Sequence, residues 1–315
     1  MQWIKKGLIF RTEGQHDWMV SHASVPTVIR MTANTIRVYF APRDTQGRSH
    51  ITFVDVAADN PSHIRHVHDQ PVMSLGELGT FDDSGTMPSC IVRYQETLYL
   101  YYIGWNQGRS VPYRNALGVA VSEDNGLVFT RLFKGPVVDR SPSEPHFCAS
   151  CHICIENGIW RMWYTNCTKW EIVEGRAEPF YHIKYAESTD GIVWKRDGTV
   201  AIDYNSPDEA GITRPFVVHE DNIYKMWYSH RKCQGYRTNR AQSYRIGYAE
   251  SNDGICWKRL DDEVGIDVSD SGWDSEMIEY PNIYKHERTR FMIYNGNGFG
   301  QSGFGYAVSA EEHPC

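Results

Sequence analysis

A ten-residue phrase returns along this chain at near-constant spacing. Tyr185-Ala-Glu-Ser-Thr-Asp-Gly-Ile-Val-Trp194 recurs as Tyr248-Ala-Glu-Ser-Asn-Asp-Gly-Ile-Cys-Trp257, and more loosely as Val119-Ala-Val-Ser-Glu-Asp-Asn-Gly-Leu-Val-Phe129. The start of a further copy is Tyr306-Ala-Val-Ser309. A fixed period of this length signals stacked or radial repeats and restricts the fold before any other feature is considered. A second landmark keeps the same period. An aromatic closes an alternating strand at Phe40, Tyr102, Tyr164, Tyr228 and Tyr294, in steps of 62, 62, 64 and 66 residues. Thirteen or fourteen residues before each lies a strand opener, Pro26, Pro88, Ser150, Pro215 and Pro281.

Each unit reads as four strands. Proline is tolerated at the first residue of a strand, where no ladder donor is needed. The second strand is rich in aromatics that favour pleated structure, as in Trp160-Arg-Met-Trp-Tyr164 and Tyr224-Lys-Met-Trp-Tyr228. The third is the Ala-Glu-Ser segment, and the Asp-Gly after it makes the tight turn of a hairpin. The fourth is the Trp-Lys-Arg segment. No 3.6-residue periodicity persists. The expected fold is all-β, a five-bladed β-propeller. It forms one domain over 1–315, with blades near 20–75, 82–140, 144–202, 209–265 and 274–312. Blade five lacks its own fourth strand. Residues 2–10 supply one, because Trp3-Ile-Lys-Lys-Gly-Leu-Ile9 resembles Trp194-Lys-Arg-Asp-Gly-Thr-Val200. Ring closure by this strand removes exposed sheet edges.

The net charge of −7 and the lack of a basic run argue against a nucleic-acid partner. No stretch is apolar and long enough to span a bilayer. Lys5 and Lys6 precede no apolar run, so the expectation is no signal peptide and a cytoplasmic protein with its eight cysteines reduced. Nothing in the sequence sets the oligomeric state. Cys148-Ala-Ser-Cys151-His152 spells a haem-attachment motif, but it lies where a strand starts, in a chain without an export signal. Residues three apart on a strand face opposite sides, so buried thiols are the better reading. The expectation is no cofactor and no metal.

In a propeller, the segment entering strand one and the loop after strand two share a face, at the channel mouth. The entering segments carry His22, Asp82, Asp83, Glu144, His146, Glu209, Arg214, Glu276, Glu279 and Tyr280. The loops after strand two carry Arg43, His230 and Arg231. Carboxylates at one repeat position in four units suit glycosidic cleavage, which needs one protonated acid and one ionised carboxylate. Asp83, Glu209, Glu279 and Glu144 are the candidate acid/base residues. His22, Arg43, Asp82, His146, Arg214, His230, Arg231, Glu276 and Tyr280 would bind substrate, and the cationic ones could hold a phosphate. The opposing possibility is that these carboxylates only form salt bridges or cap turns, leaving a non-catalytic carbohydrate-binding scaffold.

Ser122-Glu-Asp-Asn-Gly-Leu-Val-Phe129 is similar to the Asp-box of sialidases, a turn-forming element, so Asp124, Asp190 and Asp253 are expected to be structural. Over its whole length the chain resembles the five-bladed propeller glycoside hydrolases of families 43, 32, 68 and 130. It also resembles the propeller domain of glucosamine inositolphosphorylceramide transferase-like proteins and relatives associated with polysaccharide biosynthesis. The resemblance implies a glycan-active, glycoside hydrolase-like or phosphorylase-like protein that cleaves a glycosidic or sugar-nucleotide bond. It also implies catalytic aspartates before the first two strand-opening prolines. Val25 and Met87 stand there instead. Glu279-Tyr-Pro281 is similar to the Glu-x-Pro acid motif, displaced to the fifth unit.

Overall fold

The computed structural model describes residues 2–309. The ends of the expected domain and of the fifth repeat, 310–315, lie outside the described residues. The chain opens with β1 (Trp3–Phe10). A four-stranded sheet follows, β2 (Ser21–Thr32), β3 (Thr35–Arg43), β4 (Thr52–Ala57) and β5 (Ile64–Val67). The next comprises β6 (Gly85–Tyr94), β7 (Thr97–Gln107), β8 (Tyr113–Ser122) and β9 (Thr130–Arg131). Then come β10 (Cys148–Glu156), β11 (Ile159–Val173), β12 (Arg176–Ser188) and β13 (Val200–Ile202). After them lie β14 (Glu209–Glu220), β15 (Ile223–Lys232), β16 (Arg245–Ser251) and β17 (Lys258–Arg259). A single parallel bridge, Tyr181 to Gly211, joins these two antiparallel groups into one eight-stranded sheet. The last group is β18 (Glu279–His286), β19 (Thr289–Asn295) and β20 (Phe304–Ser309), with a tight turn at Asn297–Gly300 between the last two, in which Gly298 and Phe299 are left-handed.

The amino-terminal strand joins that last sheet. β1 runs antiparallel to β20, from Trp3 opposite Ser309 to Phe10 opposite Phe304. The fourth strands are shorter than their sequences suggest, with two residues in each of β9 and β17. In the third group the Trp194-Lys-Arg segment makes only an isolated bridge, Glu187 to Lys195, and the outer strand forms farther on at β13.

The middle of each inner strand is buried on both faces: Leu100, Tyr101 and Tyr102 of β7 and Met226, Trp227 and Tyr228 of β15 are consecutive and buried. Five large apolar clusters each join neighbouring groups of strands. One packs Phe10, Phe304 and Phe291 against Phe40 and Val54, and so couples the chain's ends to the β2–β5 sheet. Another places Tyr39 and Phe53 on Leu98, Leu100 and Tyr102. The remaining three follow in the same order around the chain, through Tyr101 with Trp160, Trp163 with Met226, and Trp227 with Tyr294.

Hydrogen bonds repeat across these seams. The residue before the landmark aromatic donates to the hairpin glycine carbonyl of the next group: Tyr39 to Gly126 (2.8 Å), Tyr101 to Gly191 (2.7 Å) and Trp163 to Gly254 (2.8 Å). Each hairpin aspartate is a turn residue, as expected. Asp124, Asp190 and Asp253 accept the backbone N–H groups of Leu127 and Val128, of Ile192 and Val193, and of Ile255 and Cys256. Glycine is required here: Gly191 has φ of +72°, and a Cβ on it would stand 2.6 Å from the Tyr101 hydroxyl.

Candidate functional site

In every group the start of the first strand is paired with the end of the second, as expected for two segments on one face. Ser21 faces Arg43, Gly85 faces Trp105, Cys148 faces Asn166, Glu209 faces Lys232 and Glu279 faces Asn295. Asp82, Glu144, Glu209 and Asp274 are almost wholly buried, and each is bound by a cation from the outer strand region of its own group. The pairs are Asp82 with Arg131 (2.7 Å), Glu144 with Arg196 (2.7 Å), Glu209 with Arg259 (2.8 Å) and Asp274 with Lys5 (2.7 Å). The landmark tyrosine donates to the same carboxylate in three of them, Tyr102 to Asp82, Tyr164 to Glu144 and Tyr294 to Asp274. In the fourth, Tyr228 donates to Asp261, which also binds Arg259. The first group has Phe40 without a hydroxyl, and the corresponding Asp17 is exposed.

This changes the expected roles of Asp82, Glu144 and Glu209. Lys184 adds a second cation to Glu144 (3.0 Å), and the His230 imidazole lies 3.2 Å from Glu209. Burial would raise the Glu209 carboxyl, but Arg259, His230 and the Asn205 N–H outweigh it and hold the group well below the usual carboxylate range. Such a carboxylate ties the inner strand to the outer strand of its own group and is a poor proton donor. Asp83 is half-buried and caps a turn, accepting from the Gly79 N–H (3.0 Å) and the Ser84 hydroxyl (2.9 Å). No hydrogen bond joins Asp83, Glu144, Glu209 and Glu279 to one another; the first three are tied within their own surroundings.

Nearer the axis lies strained backbone. Val25, Arg214 and Tyr280, each directly before a strand-opening proline, have φ of 55°, 56° and 58°. A β-branched or bulky residue pays for that geometry, and the residue before proline is further restricted. In each case the backbone N–H is captured by the residue after the landmark aromatic of the preceding group. Asn295 Oδ1 takes Val25 N–H (2.8 Å), Thr165 takes Arg214 N–H (3.3 Å, with Ser150 at 3.1 Å) and Ser229 takes Tyr280 N–H (2.8 Å). Where that residue is Ala41 or Ile103, with no acceptor, the residues they would clasp, Met87 and Ala149, keep an ordinary φ. One side-chain acceptor thus decides the local backbone state.

The Arg214 guanidinium reaches two other groups of strands. It donates to the carbonyls of Ser89 and of Pro26 (3.0 Å) and to the Thr27 hydroxyl (2.7 Å), linking three groups of strands. No carboxylate pairs with it, and burial lowers its pKa to about 10. A small axial pocket of about 100 Å3 lies beside it, lined by Val25, Tyr113, Tyr181, Arg214, Tyr244 and Tyr280 among others.

Glu279 borders this cluster and differs from the other carboxylates. It is 0% exposed, and neither carboxyl oxygen accepts a hydrogen bond from the described residues. Burial pushes it well above the usual carboxylate range, with only partial opposition from the Tyr280 hydroxyl and Arg231. Arg231 is itself buried in a cage of tyrosines. Its Nε donates to the hydroxyls of Tyr181 and Tyr244 (both 3.2 Å), which also bond each other, and its guanidinium lies 3.9 Å from the Tyr236 ring centre.

Arg43 and His22, both expected to bind substrate, differ in charge near neutral pH. Arg43 is exposed and makes no ion pair or side-chain hydrogen bond among the described residues. His22 has φ of 63° and its Nδ1 lies 2.9 Å from the Ser21 hydroxyl. Burial and then Arg43 lower its pKa to about 4. Glu276 is exposed, and its backbone, not its carboxylate, makes its bonds, to Asn297 and Arg245. His146 lines a second cavity farther out. Cys148 and Cys151 are buried in β10, and burial pushes the Cys148 thiol up to about 12. The tyrosine cage was not foreseen. Tyr181 and Tyr244 hold the same repeat position, four residues before Tyr185 and Tyr248 and 63 residues apart, so the period itself was the signal that could have found them.

The uncharacterized protein Rv1502 of Mycobacterium tuberculosis H37Rv is 39% identical over 308 residues, covering 98% of this chain and 99% of the relative. MT1551 of strain CDC 1551 matches over the same length at the same identity. This chain belongs to their family. No family model matches it. Among solved structures it is similar to a thermostable family-43 glycoside hydrolase (17% identity, TM-score 0.68, 96% of this chain and 94% of that one). It is also similar to a glycosyl hydrolase from Bacteroides ovatus (18%, 0.68, 100% and 92%). A third is a structure from the GH130 family of mannoside phosphorylases, described as containing glycoside hydrolases that target β-1,2 mannosidic linkages in Candida mannan (16%, 0.67, 100% and 92%). What these share with the family of Rv1502 is the all-β, propeller-like fold. Among the described residues no helix is long and apolar enough to cross a membrane.

Proposed function

We propose that this chain is a five-bladed propeller closed by its amino-terminal strand, and a glycan-active, glycoside hydrolase-like enzyme with Glu279 as its acid. The observation that carries the reading is the state of Glu279: a fully buried carboxyl with both oxygens unpartnered, beside Tyr280 and the Arg231–tyrosine cage. A carboxyl kept protonated near neutral pH can donate its proton to the leaving oxygen as the glycosidic C–O bond breaks. Of the other three candidates, only Asp83 is free of an ion pair, so it is the carboxylate to test as the group that activates water. Arg43, His22, Arg214 and Tyr280 would bind the sugar. The five-fold count is supported by the five apolar seams that link successive groups of strands, the last joining β1 and β20 to the first sheet. Action on a sugar nucleotide, in polysaccharide biosynthesis and in the cytoplasm, belongs to this proposal through the sequence resemblance.

A second reading, a non-catalytic carbohydrate-binding scaffold, is favoured by the four locked carboxylates and by Arg214 linking three groups of strands. The deciding experiment screens wild type, Glu279→Gln and Asp83→Asn against aryl glycosides and sugar nucleotides. Enzymic action predicts a fall in turnover of about 10²–10⁴-fold for Glu279→Gln on removal of a general acid. Equal turnover in all three proteins removes the assignment, and saccharide binding without turnover establishes the scaffold.

A further inference from the structure

A cavity of about 350 Å3 lies beside the axial pocket, between the β6–β9 and β10–β13 groups. The two adjoin, since Asn115 and Phe147 line both. Its inner wall is aromatic. Trp170 meets Phe147 edge-on at 5.7 Å and Tyr113 at 5.4 Å, giving a rigid apolar platform on the side toward the axis. Such a face matches the C–H surface of a sugar ring.

The polar side of the cavity carries unneutralised positive charge. Arg114 is exposed and His146 half-buried, and neither makes a side-chain hydrogen bond or ion pair among the described residues. Arg140 has only a loose contact with Asp139, 3.7 Å, and Asp139 is the one carboxylate lining the cavity. The nearby Asp82 and Glu144 are already neutralised by Arg131, Lys184 and Arg196. A chain of net charge −7 therefore presents here a cavity in which Arg114 is unpaired, Arg140 is only loosely paired and the neighbouring Asp82 and Glu144 are spent. Guanidinium groups so placed select planar anionic groups, carboxylate or phosphate.

We infer that this outer cavity is a second saccharide subsite for a unit bearing an anionic group, read by Arg114 with Arg140 and His146 while Trp170 and Phe147 support the ring. The substrate is then a glycoside whose first unit sits in the axial pocket and whose next unit is a uronate or a phosphorylated sugar. The inference rests on the glycan reading of the axial pocket but not on Glu279 as the acid.

Calorimetric titration of the whole chain tests it with three probes of matched size: a neutral disaccharide, the corresponding uronate disaccharide and a phosphorylated disaccharide. At low salt one anionic probe binds about tenfold or more tightly than the neutral one, as expected for a charge-assisted hydrogen bond. Whichever anionic probe shows the preference identifies the carboxylate or the phosphate as the source. Arg114→Ala, checked for an unchanged melting temperature, abolishes the preference while leaving neutral binding intact. Trp170→Ala weakens all three. Raising the salt to about 1 M shrinks the preference, because Arg114 is exposed. Equal affinity for all probes, or a preference that survives Arg114→Ala, overturns the subsite. If charge preference persists while Glu279→Gln retains turnover, only the acid assignment falls. If no probe binds at all, both readings fall together.

Discussion

Replacing Arg259 by leucine should expose how much the repeated ion pairs contribute. The guanidinium donates to both oxygens of Glu209 (2.8 Å each), to Asp261 (2.7 and 3.0 Å) and to the Asp203 carbonyl (2.7 Å). Its side chain is 10% exposed and that of Glu209 is 4% exposed, so water cannot replace these bonds. Leucine leaves a buried carboxylate with only His230 and the Asn205 N–H. Breaking a buried pair from one side costs about 3–5 kcal/mol. At about 2 °C per kcal/mol for a chain of this size, the melting temperature falls by roughly 6–10 °C. Urea unfolding followed by tryptophan fluorescence at several pH values is the assay. In wild type the Glu209 carboxyl is depressed, so its stabilisation is present above its unfolded pKa of about 4.3 and fades as pH drops below that. In the variant the carboxyl is buried and poorly paired, so protonation relieves it. The gap between the proteins is therefore widest near pH 7 and narrows toward pH 4. A loss below about 1 kcal/mol, or a gap independent of pH, would refute the account of Glu209 as a tethering carboxylate.

Further outcomes follow from other sites. Glu279 is raised by burial, so wild-type stability declines as pH climbs above about 4.3 toward its folded value. Glu279→Gln should be the more stable protein at pH 8 and lose that advantage near pH 4 in paired melting curves. Gly191→Ala, at φ of +72° and against the Tyr101 hydroxyl, should destabilise more than Gly158→Ala, where φ is +79° but no atom lies within 4 Å. The open site costs about 1–2 kcal/mol for the left-handed backbone alone, and chemical denaturation measures the difference. Ser229→Ala removes the acceptor for the Tyr280 N–H and should cost about 1–3 kcal/mol for a buried unsatisfied donor. Val28→Ala, on a partly buried strand face, serves as its control for simple truncation.

The repeat phrase and the aromatic spacing were enough to read an all-β chain of four-stranded units, its Asp-Gly hairpin turns, and the pairing of residues 2–10 with the last strand. These features are local or periodic: a turn needs its own aspartate and glycine, and an amphipathic strand declares itself within a few residues. The sequence also marked the carboxylates before each strand opener as special, but not for what. Asp82, Glu144, Glu209 and Glu279 look alike in one dimension, because each precedes a strand in an acidic segment. Whether a carboxylate is neutralised depends on cations 49 to 52 residues away at Arg131, Arg196 and Arg259, and for Asp274 on Lys5 at the other end of the chain. Only packing of the outer strands brings those cations in, and none reaches Glu279. The same holds for the strained backbone at Val25, Arg214 and Tyr280, which is set by an acceptor on the preceding group of strands. Charge state and backbone strain near the axis are thus products of tertiary contact, since both depend on which partner the fold delivers and on the water it excludes.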